Sequence, residues 1–209
     1  MIVSGISKIK FKKNMFKIML DDGENIILTA ETIVKFGLKD GLEINANTFD
    51  AISAYDKSNR IMADALALIS KRSYSAKMLE TKLLDKGYEP ENAKRAVKRL
   101  QELNYIDDVK YAKMFAEYLA NRAKGEFAIK AELEKAGIAK ELAKEVLENI
   151  KSEEEAYEQI IKIMKSKFKK FDPKDKNETR RAAAFFLRRG FSSEDVAKAF
   201  RKYKNISLE

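Results

Sequence analysis

The sequence predicts a mainly α-helical protein: three tandem three-helix repeats forming an elongated curved array, preceded by a small β-rich module over residues 1–55. Three observations carry this. Near the N-terminus apolar residues alternate with lysine, a period of two. From about residue 56 the apolar period becomes that of a helix. A motif centred on glycine then returns three times, at Gly87, Gly137 and Gly190.

The first element is read from Lys8-Ile9-Lys10-Phe11-Lys12, which suits a strand with one wet face. Met15–Leu20 and Asn25–Thr29 are apolar runs flanking Asp21-Asp22-Gly23-Glu24. An Asp-Gly pair between two such runs marks a hairpin, because glycine accepts positive φ cheaply. Ala30–Phe36 reads as a short helix ended by Gly37, and Leu38-Lys39-Asp40-Gly41 as a second turn. So few strands need something larger to dock on. The module nevertheless reads as a separate accessory piece, because its seven lysines balance its seven acids.

In the helical part, Met62, Leu66 and Ile69 fall on one face. Asp107 is placed as the cap of a helix whose apolar stripe is Tyr111, Met114, Phe115, Tyr118 and Leu119. Pro90 and Pro173 sit where a first helical turn tolerates proline. Ser75 and Ser192 are further caps, and Asp195 makes a near capping box with Ser192.

The repeat organises the whole of this region. Leu83, Leu133 and Phe186 each stand four residues before a glycine, and Tyr88, Ile138 and Phe191 stand one after it. Further on, Ala93, Ala143 and Val196 match, as do Val97, Leu147 and Phe200. A helix ends at glycine because that residue takes the left-handed conformation, and the next apolar residue covers the last turn. The copies are about 50 residues apart, room for three ordinary helices. They run over residues 56–106, 107–151 and 152–209.

Composition narrows the function. With no His and no Cys, the chain holds no Ser-His-Asp triad, cysteine nucleophile, disulfide or typical zinc site. No glycine-rich nucleotide fingerprint is present. No run approaches a membrane span, and no apolar stretch follows the first lysines as a secretory signal would. The chain is therefore read as a non-enzyme without cofactor or metal. Its net charge is +9, and residues 160–190 alone carry a net of +8. Such a concentrated field favours a polyanion: nucleic acid, an acidic protein face or a membrane surface.

Lys71-Arg72-Ser73-Tyr74-Ser75, with Leu79, Leu83 and Lys86-Gly87-Tyr88, resembles the opening repeat of the RecX family. Leu100-Gln101-Glu102-Leu103-Asn104-Tyr105-Ile106-Asp107-Asp108, followed by Tyr111-Ala112, resembles it too. Lys124-Gly125 and Ile129-Lys130-Ala131-Glu132-Leu133 are similar to that family's second-repeat signature. The resemblance covers roughly residues 56–204, and the N-terminal module is similar to an extension found in part of the family. It implies a cytoplasmic, monomeric bacterial modulator that binds the RecA filament on single-stranded DNA, with duplex DNA a further partner. It also implies that the protein restrains RecA ATP hydrolysis and strand exchange, in DNA repair, homologous recombination and the SOS response.

Candidate residues for binding nucleic acid or filament are the cations. Lys165, Lys167, Lys169, Lys170, Arg180, Arg181, Arg188 and Arg189 lie in the charged stretch. Lys94, Arg95, Lys98, Arg99, Arg122 and Lys124 lie in the earlier repeats. A solvated helix face is the alternative for the arginines of the third repeat, although solvation alone would interleave acids. Pairing with Glu91 and Glu102 is the alternative for the Lys94–Arg99 group. Tyr74, Tyr88, Tyr105 and Tyr111 occupy apolar repeat positions and are read as packing residues ahead of base stackers. Asp107-Asp108 is read as a helix N-terminus and not a metal pair. Gly87, Gly125, Gly137 and Gly190 are read as backbone devices. A helical adaptor for an acidic protein and a sequence-specific DNA binder remain the alternatives to a filament modulator.

Overall fold

Three strands and ten helices follow one another in a computed structural model that describes residues 1–11, 14–150, 153–168, 171–172 and 175–206. Strands β1 (Val3–Lys8), β2 (Met15–Leu20) and β3 (Asn25–Thr29) form an antiparallel sheet in that order. The strand expected over Lys8–Lys12 is corrected: β1 ends at Lys8, Lys10 and Phe11 lie in the turn that follows it, and Lys12 lies outside the described residues. The turn between β2 and β3 is the predicted one. Gly23 has φ +86°, its amide donates to the Leu20 carbonyl, and the Leu20 amide donates to Glu24. The helix α1 (Ala30–Phe36) ends at Gly37 in the left-handed region, as the sequence predicts. Val3, Ile18, Leu20, Leu28, Leu38 and Ile44 make the core beneath this sheet.

Ile52 belongs to that same core, and it lies on α2 (Ala46–Ile69). Asn45 caps this helix by accepting the Thr48 amide, and no glycine or proline interrupts it for 24 residues. It therefore passes straight through residue 55, where the sequence reading ends the module. Its buried positions are Ile52, Asp56, Ile61 and Ala65, and Leu66 is exposed. The predicted Met62-Leu66-Ile69 face is thus corrected: the sheet and α4 claim the neighbouring face instead.

Asp56 fixes this contact chemically. Its Oδ1 accepts from the Thr29 amide at 2.7 Å, the Thr29 hydroxyl at 3.0 Å and the Thr32 hydroxyl at 2.8 Å. Its Oδ2 lies 2.6 Å from Arg60 Nε. A carboxylate buried this deeply requires such compensation.

The remaining helices are α3 (Ala76–Asp85), α4 (Pro90–Glu102), α5 (Asp108–Asn121), α6 (Glu126–Lys135), α7 (Lys140–Ile150), α8 (Glu153–Lys167), α9 (Lys176–Arg188) and α10 (Ser193–Ile206). The chain divides into two compact units, Met1–Arg72 with Leu79–Leu103, and Ser73–Met78 with Asn104–Glu209. In the first unit Leu79, Leu83, Ala93, Val97 and Leu100 are buried. Tyr88 donates to Asp64 at 2.9 Å there, and burial together with that carboxylate pushes its hydroxyl up to about 12. In the second unit α5–α7 surround Ala112, Ala116, Ile129, Leu133, Ile138, Ala143 and Val146. Helices α8–α10 surround Ile160, Met164, Phe186, Phe191, Val196 and Ala199.

Each repeat turns at its glycine by the same hydrogen bonds. The Gly87, Gly137 and Gly190 amides donate to Leu84, Glu134 and Leu187. The next amides, of Tyr88, Ile138 and Phe191, donate to Leu83, Leu133 and Phe186. All three glycines have φ between +80° and +87°. Predicted caps are present at Ser75, Asp107 and Ser192, the last as a box with Asp195. Asp108 accepts the Ala76 amide at 2.8 Å, so the acid pair terminates two different helices.

Three further readings are corrected. Met114 and Tyr118 are about half exposed, because Ala112, Ala116 and Leu119 occupy the inner face of α5. Tyr105 is exposed too, whereas Tyr74 and Tyr111 are buried as packing residues. Helix α9 starts at Lys176 with Asp175 as its cap, so its first turn begins after position 173, and Pro173 itself lies outside the described residues.

Candidate nucleic-acid interface

The predicted cations separate into two groups. In the second unit, α8 carries exposed Lys165 and Lys167 in its last turn. Helix α9 buries Ala182 and Phe186, which leaves Arg180, Arg181 and Arg188 exposed and Arg189 half-buried at its C-cap. Lys169 and Lys170 lie outside the described residues. The Phe185 ring ties the two helix ends together: Lys167 Nζ stands 4.8 Å from its centroid and the Arg189 guanidinium 5.1 Å. Two cations on one ring are held in place by its electron-rich face, which keeps both charges near the surface. The ring is itself wedged by Phe168 and Phe186 at 5.5 and 5.2 Å.

Arg122 and Lys124 lie in the turn between α5 and α6. Arg122 donates to the Tyr118 hydroxyl and sits 5.4 Å from the centroid of that ring, which stacks on Phe115. The turn then meets the end of α9 through backbone alone. The Gly125 amide donates to the Arg189 carbonyl at 2.8 Å, and the Phe127 amide to Gly190 at 3.0 Å. The free amides at the start of α6 are thus satisfied by carbonyls at the end of α9. A Cβ on Gly125 would overlap the Gly190 backbone, and one on Gly190 would overlap Ala128. Gly125 has an ordinary φ of −78°, so its role is close approach and not the left-handed turn.

The consequence is electrostatic. The turn that carries Arg122 and Lys124 in the second repeat is joined by backbone to the end of α9, which carries Arg188 and Arg189, and Lys167 and Arg189 share the Phe185 ring. Phe127 and Leu187, close to that junction along the chain, are exposed, and half-exposed Tyr118 holds Arg122. Guanidinium forks suit bidentate contact with phosphate or carboxylate, and exposed rings suit stacking with bases. Tyr118, Phe127 and Phe185 are absent from the sequence-based candidates. A signal for two of them was present: Tyr118–Arg122 and Phe185–Arg189 are both spaced by four, neighbours on a helix.

The other group lies in the first unit on α4. Lys94, Arg95, Lys98 and Arg99 are all exposed. Arg95 donates to the Asn92 side chain at 3.0 Å, and Arg99 pairs with Glu102 at 3.1 Å. Both arginines, with Lys57 and Asp50, line a cleft of about 380 Å³ between α2 and α4. Among the described residues, no cluster of His, Cys, Asp and Glu suited to a metal is found, and no helix is long and apolar enough to cross a membrane.

The three repeats match, in order, the models of the first, second and third three-helix domains of RecX, over residues 62–100, 107–147 and 153–205. The chain belongs to the RecX family. It is 28% identical over 199 residues to the regulatory protein RecX of Caldanaerobacter subterraneus subsp. tengcongensis, covering 95% of this chain and 98% of that one. That span is too long to be confined to the three repeats. It is 30% identical over 141 residues to the regulatory protein RecX of Trichlorobacter lovleyi, covering 66% of this chain and 92% of that one. A crystal structure of a regulatory protein RecX superposes with a TM-score of 0.71 at 21% identity, over 95% of this chain and 98% of that one. The structure of RecX from Lactobacillus salivarius gives 0.66 at 20% identity, over 72% and 98%. These likenesses establish the RecX fold here: three three-helix domains with a small N-terminal antiparallel sheet.

Proposed function

We propose that this RecX-family protein is a non-enzymatic, cytoplasmic, monomeric regulator of the RecA recombinase. It binds the RecA filament on single-stranded DNA and restrains ATP hydrolysis and strand exchange. The observation that supports the reading is the backbone contact of Gly125 with Arg189 and Gly190, which joins the cation-bearing turn of the second repeat to the cation-bearing end of α9. A phosphodiester backbone is the polyanion best matched to that junction, since each phosphate neutralised releases counterions and each ring offers a sequence-tolerant stack. Arg180 and Arg181 extend the contact along α9 by about two turns.

The test is the rate of single-strand-dependent ATP hydrolysis by the cognate RecA, with and without the protein. Wild type lowers the rate. Replacing Arg180, Arg181, Arg188 and Arg189 with Glu takes residues 160–190 from a net of +8 to zero. Helix propensity barely changes, because Arg and Glu are both good formers. The variant should keep its helical circular dichroism and lose the inhibition. Full inhibition by a folded variant places the contact elsewhere.

A further inference from the structure

The N-terminal module is neutral only in sum. Residues 6–20 contain five lysines and no acid, whereas residues 21–55 contain seven acids and two lysines. The basic half is the β1–β2 hairpin. Its pairing runs from Val3–Leu20 to Lys8–Phe16, and one more bond, from the Ile9 amide to the Met15 carbonyl, closes the end. Beyond that bond lies Phe11, fully exposed and with φ +66°. A bulky residue rarely adopts that backbone, and a lone phenyl ring rarely stands wholly in water. Both costs fall on one side chain at the end of a ribbon. Lys10 adjoins it, and Lys8 and Lys17 fall on opposite faces of the ribbon, because Lys8 pairs with Phe16 while Lys17 pairs with Ser7.

We propose that this hairpin end is a second contact for single-stranded nucleic acid: Phe11 stacks on an unpaired base, and Lys8, Lys10 and Lys17 meet the phosphates on either side. Charge complementarity selects the partner. A polyanion suits Lys8, Lys10 and Lys17 in a stretch whose sequence holds no acid, and cations on both faces let a strand cross the end of the ribbon. A base supplies the flat apolar face that one ring requires, and aromatic stacking is tolerant of sequence. A bilayer fits less well, because stable anchoring takes more apolar surface than one ring, and the adjoining Ile9 and Met15 are half-buried. A protein groove fits less well too, because anchors of that kind sit at the centre of a larger apolar patch. This inference stands apart from the α9 surface, being carried by different residues in the other unit.

The chain contains no tryptophan, so Phe11→Trp in the full-length protein supplies a single reporter at the hairpin end. The substitution is made in the Arg180, Arg181, Arg188 and Arg189 to Glu background, which removes the contact proposed for the second unit. Three titrants are compared: oligothymidylate, an abasic phosphodiester of the same length, and vesicles containing anionic lipid. Oligothymidylate should quench the emission and the abasic strand should not. Replacing Lys8, Lys10 and Lys17 with Gln should lower the salt slope of the quench by about two, at about 0.7 per phosphate on a single strand. In the same background, Phe11→Ala should weaken oligothymidylate binding, measured by fluorescence anisotropy, about fivefold or more. Absence of quenching by oligothymidylate overturns the proposal, as does equal quenching by the abasic strand. A blue shift with vesicles but no response to oligothymidylate also overturns it and makes the hairpin end a membrane contact. Because the reporter is local, a loss of RecA inhibition by the α9 variant leaves this outcome readable.

Discussion

Individual glycines show how one residue type serves two physical needs. Gly87 and Gly137 have nearly the same left-handed backbone, at φ +87° and +80°. A Cβ on Gly87 would meet open space, while one on Gly137 would overlap the Cβ and Cγ of Lys77. Gly87→Ala should therefore cost only the conformational penalty, about 1 kcal/mol. Gly137→Ala adds a clash near the root of a side chain and should cost about 2 kcal/mol or more. Thermal melts followed by circular dichroism separate the two, and equal drops would mean that Lys77 moves aside freely. The chain alone shows these positions as equivalent members of a repeat, and their shared turn was legible for that reason. It groups Gly125 with them as well. What sets Gly125 apart is a neighbour 65 residues further on, a tertiary fact with no local trace.

At the scale of elements, α2 decides whether the β module is an appendage. Its first half supplies Ile52 to the core of the sheet, and its buried Asp56 holds Thr29 and Thr32. Asp56→Ala would strand the Thr29 amide and take one partner each from the Thr29 and Thr32 hydroxyls and the Arg60 guanidinium. With Arg60 partly exposed, the loss should be about 3 kcal/mol. Chemical denaturation measures it, and a loss below about 1 kcal/mol would mean that water replaces the carboxylate. The same bond network implies that removing residues 1–55 cuts α2 and exposes the remainder of its inner face, contrary to the expectation of a separate module. Strands β2 and β3, the turn between them and the caps at Asp107 and Ser192 could be read from the chain, because each rests on residues close in sequence; β1 could not, since the alternation of lysine and apolar residues after Lys8 falls on the turn that follows the strand. The face of α2 could not, since two different layers compete for it. Tyr118 likewise reads as part of an apolar stripe, but three small or aliphatic residues fill the inside of α5 and leave it for the surface.

Across the whole molecule, the proposed polyanion contact has two cation groups to choose between. Both were visible in the sequence as charge, and neither charge nor periodicity tells an engaged guanidinium from an available one. On α4, Arg95 and Arg99 are occupied on their own helix by Asn92 and Glu102. On α9, Arg189 is steadied by the face of Phe185, an interaction that leaves its hydrogen-bond donors free to meet an oxygen. A guanidinium that must first leave a partner on its own helix gains less by moving to a phosphate, so the two sets should differ in salt response. Binding to a single strand weakens with salt at a slope of about 0.7 per phosphate neutralised. Replacing Arg180, Arg181, Arg188 and Arg189 with Gln should then lower the slope by up to about three. Replacing Lys94, Arg95, Lys98 and Arg99 with Gln should lower it by about one or less. Fluorescence anisotropy of a labelled oligothymidylate, titrated at several salt concentrations, measures both. Equal losses would mean that the first repeat binds alongside the third. A loss confined to the α4 variant would make the third repeat a charged end piece, with its concentrated positive field serving solubility instead of recognition.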